Sequence, residues 1–302
     1  MSRVRLGGYY ERQMPRQQPA AFGLPGGGGS RQQGGAGAKA RLAIAVVIAL
    51  VAIIGYMSKS SVNPVTGQTQ RIAMSFEQEI ALGLQAAPEM MRQHGGEARD
   101  ARAQALVDQV GHRLLQALPD DMPWQFDFHL LADPQVINAF ALPGGQVFIT
   151  DALFSRLETE GQLAGVLGHE IGHVIERHGA QRLAKQNLMQ GLVGAVAVGT
   201  YDPERGGAQA AVLAQAIGTL VTLKYGRNDE LQSDQWGVSL TAKAGYDPRA
   251  MIRVMEILRE ASGGSRQPEF MSSHPDPGNR IDRIEAAIRE VFPNGVPEGL
   301  EP

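Results

Sequence analysis

Residues 166–178 read VLGHEIGHVIERH. His169 and His173 are four apart, so on an α-helix their side chains lie about 40° apart around the axis and one turn along it. Two imidazoles so placed can hold one metal ion. Glu170 projects about 100° from His169, where a carboxylate can take the proton of a water that the metal acidifies. A partly exposed helix with two ordinary histidines is the alternative. Val166, Leu167, Ile171, Val174 and Ile175 surround the polar trio and argue against it, because buried imidazoles and a buried carboxylate need partners. Gly168 and Gly172 cost helix propensity, which predicts a close approach of backbone or substrate at those two positions. His178 lies about 180° from His169 around a straight helix and is expected at the surface.

A catalytic metal site needs a third protein ligand, and the chain contains no cysteine. A disulfide framework, a Cys-ligated zinc, an iron–sulfur cluster and a thiol nucleophile are thereby excluded. The metzincin continuation HExxHxxGxxH also fails, since Glu176 and Gly179 stand where it needs Gly and His. In YGRNDELQSDQWG, residues 225–237, Glu230 and Asp234 are an i, i+4 pair on a predicted helix. One could ligate the metal, and the other could accept the N–H of a ligating histidine. The same spacing also fits an ordinary solvated acidic face.

These groups need elements to hold them. Ser75, with Glu77 and Gln78 behind it, reads as an N-cap with a capping box, and helices are expected near 76–94 and 97–117. QFDFHLL (125–131) alternates and predicts a strand. Pro143-Gly144-Gly145 between two apolar runs predicts a hairpin near 137–150. The rest is helical in pattern, so the expected fold class is α+β, mostly helical, with a small antiparallel sheet.

HEIGH on one helix, with Arg227-Asn228, Glu230 and Asp234 downstream, resembles the zinc metallopeptidase family of the CAAX prenyl protease, HtpX and the OMA-type quality-control protease. Asn138-Ala139-Phe140-Ala141-Leu142-Pro143-Gly144-Gly145 resembles the family's strand before its HExxH helix. Ser273-His274-Pro275 with Arg280-Ile281 resembles its C-terminal segment. The resemblance covers about 75–295 and implies a zincin-type domain holding one Zn2+ per chain. It implies His169, His173 and Glu230 as zinc ligands, Glu170 as general base and Asp234 as the partner of His169. It implies that Asn138, Ala139 and Phe140 belong to an edge strand that pairs with substrate backbone; a plain structural hairpin is the alternative. For His274 it leaves open an oxyanion-stabilising catalytic role, a fourth ligand at rest and a purely structural role. Arg280 is expected to pair with a carboxylate, with an oxyanion role as the alternative, and Tyr225 is a further oxyanion candidate.

The ends of the chain carry a different message. Residues 1–41 hold seven Lys and Arg against Glu11 alone, although the whole chain is −3. Residues 42–58 are uncharged and apolar, between Arg41 and Lys59, and just long enough to span a bilayer. The positive-inside rule puts the basic tail in the cytoplasm. The expected organisation is a disordered tail (1–41), a transmembrane anchor (42–58), a polar linker (59–74), the metallopeptidase domain (75–295) and a short tail (296–302). The apolar stretches 188–199 and 208–223, with Pro203–Gly207 between them, are expected as helices that border the active site, and either dip into the bilayer or cap the cleft.

Those features point to a single-pass inner-membrane protein with its catalytic domain in the periplasm or equivalent exterior. Protein or peptide substrates, misfolded or membrane-proximal, are expected by the resemblance. The charge balance gives no support to nucleic-acid binding, and the oligomeric state is not legible. One clear span, where the integral-membrane members have several, points to the quality-control side of the family. Rival readings are a chaperone-like or scaffold module that keeps the fold with little proteolysis, and a zinc hydrolase for a non-peptide bond.

Overall fold

Among the residues that the computed structural model describes (34–200, 225–263, 268–274 and 278–302), the first helix is also the most apolar. This helix, α1 (Gly34–Met57), contains a 21-residue stretch, Gly37–Met57, of mean hydropathy 2.4. It alone among the described residues is long and apolar enough to cross a membrane. Leu42, Val47, Val51 and Ile54 along it are exposed, which is unfavourable in water and neutral in lipid. Most of the basic tail, and the segments 203–207 and 208–223, lie outside the described residues.

The segment expected as a linker is an ordered hairpin, β1 (Ser61–Val62) paired antiparallel with β2 (Thr69–Gln70). Polar side chains in and beside it bond backbone elsewhere in the chain. Arg71 NH1 donates to Met57 O at the end of α1, at 2.7 Å. Asn63 Nδ2 donates to Ile175 O at 2.6 Å, and Gln70 Nε2 to Glu176 O at 2.9 Å. Carbonyls at a helix C-terminus lack partners within the helix, and these bonds cap two of them, Glu176 O together with Gln181 Nε2.

Helix α2 (Phe76–Gln93) opens with the capping box: Ser75 Oγ accepts Gln78 N, and Gln78 Oε1 accepts Ser75 N. Helix α3 (Ala101–Leu115) starts later than its pattern suggested. Glu97 bridges to Leu131 in the sheet, and Asp100 supplies the cap. Three strands follow, β3 (Asp127–Leu131), β4 (Ala139–Ala141) and β5 (Gln146–Thr150), in the spatial order β3-β5-β4. β4 and β5 form the expected antiparallel hairpin, with Phe140 opposite Phe148. β3 runs parallel to β5, so the sheet is mixed and not purely antiparallel. Alternation marks a strand but not its direction. Gly144 and Gly145, at φ +89 and +117, make the return turn. That backbone region is open to glycine and strained for other residues.

Short helix α4 (Asp151–Phe154) leads to α5 (Glu160–Ile175), on which Gly161 to Ile175 are all buried. Helix α6 (His178–Thr200) follows, then α7 (Arg227–Lys243), α8 (Ala250–Ser262), α9 (Glu269–Ser273) and α10 (Arg280–Val291). α5 is the axis of the core, packed on α3, α7, α8 and β4. The two glycines on α5 mark a close approach of backbone. A Cβ on Gly168 would lie 3.2 Å from Gly237 Cα, and one on Gly172 would lie 3.0 Å from Ser233 Cα. α7 can therefore approach α5 more closely there than side chains would permit.

Two residues beyond α5 stands Arg177, whose φ of 56° is left-handed, a conformation costing roughly 1–2 kcal/mol for a residue with a Cβ. Its buried guanidinium is held on every side. It donates to Glu79, to Ser61 Oγ at 2.9 Å and to Met74 O at 3.0 Å, and lies over the Phe76 ring. Removing one partner of a buried ion pair strands the other. Arg177→Met is expected to destabilise the fold by about 3–5 kcal/mol, with Glu79→Gln recovering part of the loss in the double variant. Denaturant midpoints of the two variants and the parent chain check this.

Candidate metal centre

α5 and α7 lie side by side, and the polar side chains they turn toward each other meet in the interior. His169, Glu170, His173, Glu230, Asp234 and His274 are each at most 2% exposed. His169 Nε2 lies 3.0 Å from His173 Nε2, 3.3 Å from His274 Nδ1 and 3.5 Å from a Glu230 oxygen. Glu230 Oε1 lies 3.6 Å from His173 Nε2 and 3.1 Å from His274 Nδ1. One donor atom from each of the four residues falls within 4.8 Å of the others. A zinc tetrahedron with ligands at about 2.0–2.1 Å has edges of about 3.3 Å, so this set is of the right size and chemistry.

Charge and unmet bonding lead to the same requirement. Three buried carboxylates, Glu170, Glu230 and Asp234, face one buried guanidinium, Arg280. Both oxygens of Glu170 and one of Glu230 lack a hydrogen-bond partner among the described residues. A divalent cation would balance that charge, with water completing the bonding.

Each ring is oriented from behind. Asp234 Oδ1 lies 2.9 Å from His169 Nδ1, which leaves Nε2 directed at the centre. Arg280 donates to both Asp234 oxygens at 2.7 Å, and its NH1 lies 3.3 Å from Glu230. Burial by itself would raise the Asp234 carboxyl, but Arg280 and His169 hold it at about 2. Burial likewise opposes ionisation of Glu230, and His274, His169 and Arg280 together keep it below the usual carboxylate range. Glu170 is the exception. Burial lifts its carboxyl above that range despite His274 and His169 nearby, the condition of a group that takes up a proton readily. Burial, with neighbouring His169, His274 and His178, pushes the His173 imidazole well below its usual value. It is therefore neutral, as a metal ligand must be.

His178 is not at the surface. It is 1% exposed, and its Nδ1 lies 2.9 Å from His173 Nδ1. The expectation assumed one straight helix, and the left-handed residue Arg177 redirects the chain just before His178. Gln232 Oε1 lies 3.1 Å from His178 Nε2. One proton arrangement satisfies all three side chains: His178 Nε2–H donates to Gln232, and His173 Nδ1–H donates to His178. That leaves His173 Nε2 as a lone pair facing the centre, as Asp234 does for His169. The sequence held a faint signal, a third histidine within reach of the motif, but no periodicity argument could place it.

The remaining residues close the site. Tyr225 stacks on His173 with ring centroids 4.0 Å apart, and Phe270 stacks on His274 at 4.4 Å. A void of about 10 Å³ adjoins His173, bordered by Leu142, Pro143 and Tyr225, room for about one water. Asn138 and Ala139 are buried, and Asn138 Nδ2 donates to Glu269 at 3.3 Å. Phe140 points to the sheet's other face, stacked on Phe148. Asn138 and Leu142 bond across to Thr150 and Gln146. Antiparallel alternation therefore turns the backbone groups of Ala139 and Ala141 toward the outer edge of β4, which is covered at Ala139 and half-buried at Ala141.

An HExxH helix completed by a carboxylate from a second helix, with an unbonded glutamate beside it, defines the class of metal-dependent hydrolases. The sequence comparison specifies the family. The chain belongs to peptidase family M48, whose pattern matches residues 100–288. It is 31% identical over 237 residues to a putative beta-barrel assembly-enhancing protease of Vibrio cholerae, covering 76% of this chain and 48% of the relative. It is 29% identical over 251 residues to the beta-barrel assembly-enhancing protease of Yersinia pestis, covering 80% and 50%. It is 30% identical over 259 residues to the mitochondrial metalloendopeptidase OMA1 of Bos taurus, covering 80% and 49%. The chain spans about half the length of these relatives.

Losing a group that orients a metal ligand typically weakens metal binding about 10–100-fold. His178→Ala is expected to fall in that range, and Gln232→Ala to shift the same way by less. Chelator competition for zinc measures both, with far-UV circular dichroism as the check on folding.

Proposed function

We propose that this chain is a membrane-anchored, zinc-dependent metalloendopeptidase of envelope protein quality control. The observation that carries the reading is the buried cluster of His169, His173, Glu230 and His274 with Glu170 unbonded beside it. The relatives, named as proteases of beta-barrel assembly and a mitochondrial metalloendopeptidase, support the peptide-bond chemistry and the quality-control context. The apolar helix α1 and the basic residues before it support a cytoplasmic N-terminus and a periplasmic domain.

His169, His173 and Glu230 would hold the zinc, which when bound acidifies water and polarises the scissile carbonyl. Glu170 takes the water's proton and later passes it to the leaving amine. Asp234 and His178 keep the two imidazoles in the ligating tautomer. Arg280 offsets the carboxylate charge that the site must keep buried. The outer edge of β4, once uncovered at Ala139, pairs with an extended substrate through backbone groups of Ala139 and Ala141, a mode that reads shape more than sequence. Misfolded or membrane-proximal polypeptides are the substrates this reading favours.

His274 contributes a fourth donor to the cluster, and its ring is buried with those of His169 and His173. We read this as a resting arrangement in which the position for substrate is filled. His274→Ala is then expected to raise basal cleavage of an unfolded protein such as casein. A fall of about 10²–10³-fold would instead mark His274 as an oxyanion donor.

The mechanism itself rests on Glu170. Glu170→Gln should keep about one zinc per chain, by elemental analysis, and lose at least about 10²-fold in cleavage rate. Near-parental cleavage would remove Glu170 from the mechanism. Equal rescue of a null strain by the variant and the parent would favour a chaperone-like module on the same fold.

A further inference from the structure

α6 begins at the metal centre and ends alongside α1. Its first residue, His178, touches His173. Further along, Ala184, Asn187 and Leu188 face Gly55, Tyr56 and Lys59. A Cβ on Gly191 would lie within 2.7 Å of Ala52 Cβ, so the absence of a side chain lets the helices pack closely. Ala45 on α1 and Ala195 on α6 are both buried. The two helices are therefore antiparallel and in contact well inside the apolar stretch 42–58.

We infer that the C-terminal half of α6 lies in the same bilayer as α1, so that the metal centre is held at a fixed short height above the membrane. This rests on the reading of 42–58 as a transmembrane anchor. Ala52 lies seven residues, ~10 Å, inside Lys59 along α1. Whatever packs on Ala52 is at that depth.

Three features of α6 agree with lipid there. No charged residue follows Lys185 in the helix. Val196 is 55% exposed on the outer face. Gln190 is the one polar side chain among residues 188–199. Side chains lean toward a helix's N-terminus, which for α6 is the watery end. The crevice between the helices changes character at the expected boundary. Val51, Ala52 and Leu188 line its deeper part, and Tyr56, Lys59, Arg71 and Asn187 its rim, the polarity step of a headgroup region.

Height follows from helix geometry. His178 to Gly191 is thirteen residues, ~20 Å of helix. With Gly191 ~10 Å below the Lys59 level, the metal donors sit ~10 Å above it. About three extended residues cover that distance. The site is thus placed to receive polypeptide just as it emerges from the membrane.

The chain's lack of cysteine makes the test direct. Single cysteines at Leu50, Val196, Val193 and Glu89 of the full chain would carry an environment-sensitive fluorophore. Each variant would be reconstituted in phosphatidylcholine–phosphatidylglycerol liposomes containing acyl-chain spin-labelled lipid. Strong quenching is expected at positions 50, 193 and 196, several-fold above that at 89. If 50 is quenched while 193 and 196 behave as 89 does, α6 is outside the bilayer; the inference falls and the anchor stands. If 50 also behaves as 89 does, the anchor reading fails and takes the inference with it.

Discussion

Three carboxylates in an interior that excludes water are the constraint around which the molecule is organised. Ionised carboxylates carry a desolvation cost of several kcal/mol each unless opposite charge is close. Arg280 answers for one, through its two bonds to Asp234. The remaining charge, on Glu230 and Glu170, asks for a dication at the point where two imidazoles also converge. Helix–helix distance is subordinate to this: α5 and α7 must come close enough for side chains on one to meet those on the other. The absence of side chains at Gly168 and Gly172 is what lets them do so.

The second organising element is the end of α5. Its last carbonyls are capped by Asn63 and Gln70 from a hairpin more than a hundred residues earlier. Arg177, in a left-handed conformation, turns the chain there and is fixed by Glu79 from α2. The same turn delivers His178 to the back of His173. One strained residue thus stops the helix, locks it to the segment that follows α1 and brings a partner to the His173 ring.

How much of this could be read beforehand depended on the range of the interactions. The HExxH helix was legible because i, i+4 spacing is local geometry, whereas Glu230 and Asp234 stood out only through the family resemblance, since their spacing alone also fits a solvated acidic face. The capping box at Ser75 and the Pro-Gly-Gly hairpin were likewise legible as local geometry. His178 was misplaced because one φ value broke the assumption of a continuous helix. Asn63 and Gln70 looked like linker residues because their partners are backbone carbonyls, which carry no sequence signature. The parallel pairing of β3 was hidden too, since alternation does not encode direction. The pairing of Arg280 with a carboxylate was expected from charge, but which carboxylate required the fold.

α5 has a further property that bears on how the site can come apart. From Gly161 to Ile175 it presents no residue to solvent, and both ends are tied, by Thr159 at the start and by the hairpin at the finish. Such a helix has no free turn from which to fray. Amide protons along the HExxH stretch can exchange with water only when the surrounding helices separate, so their protection should approach that of global unfolding. The centre therefore behaves as an all-or-none unit: it persists while the core persists, and partial loosening of the rim formed by β4, α9 and Tyr225 can open access without disassembling the ligands.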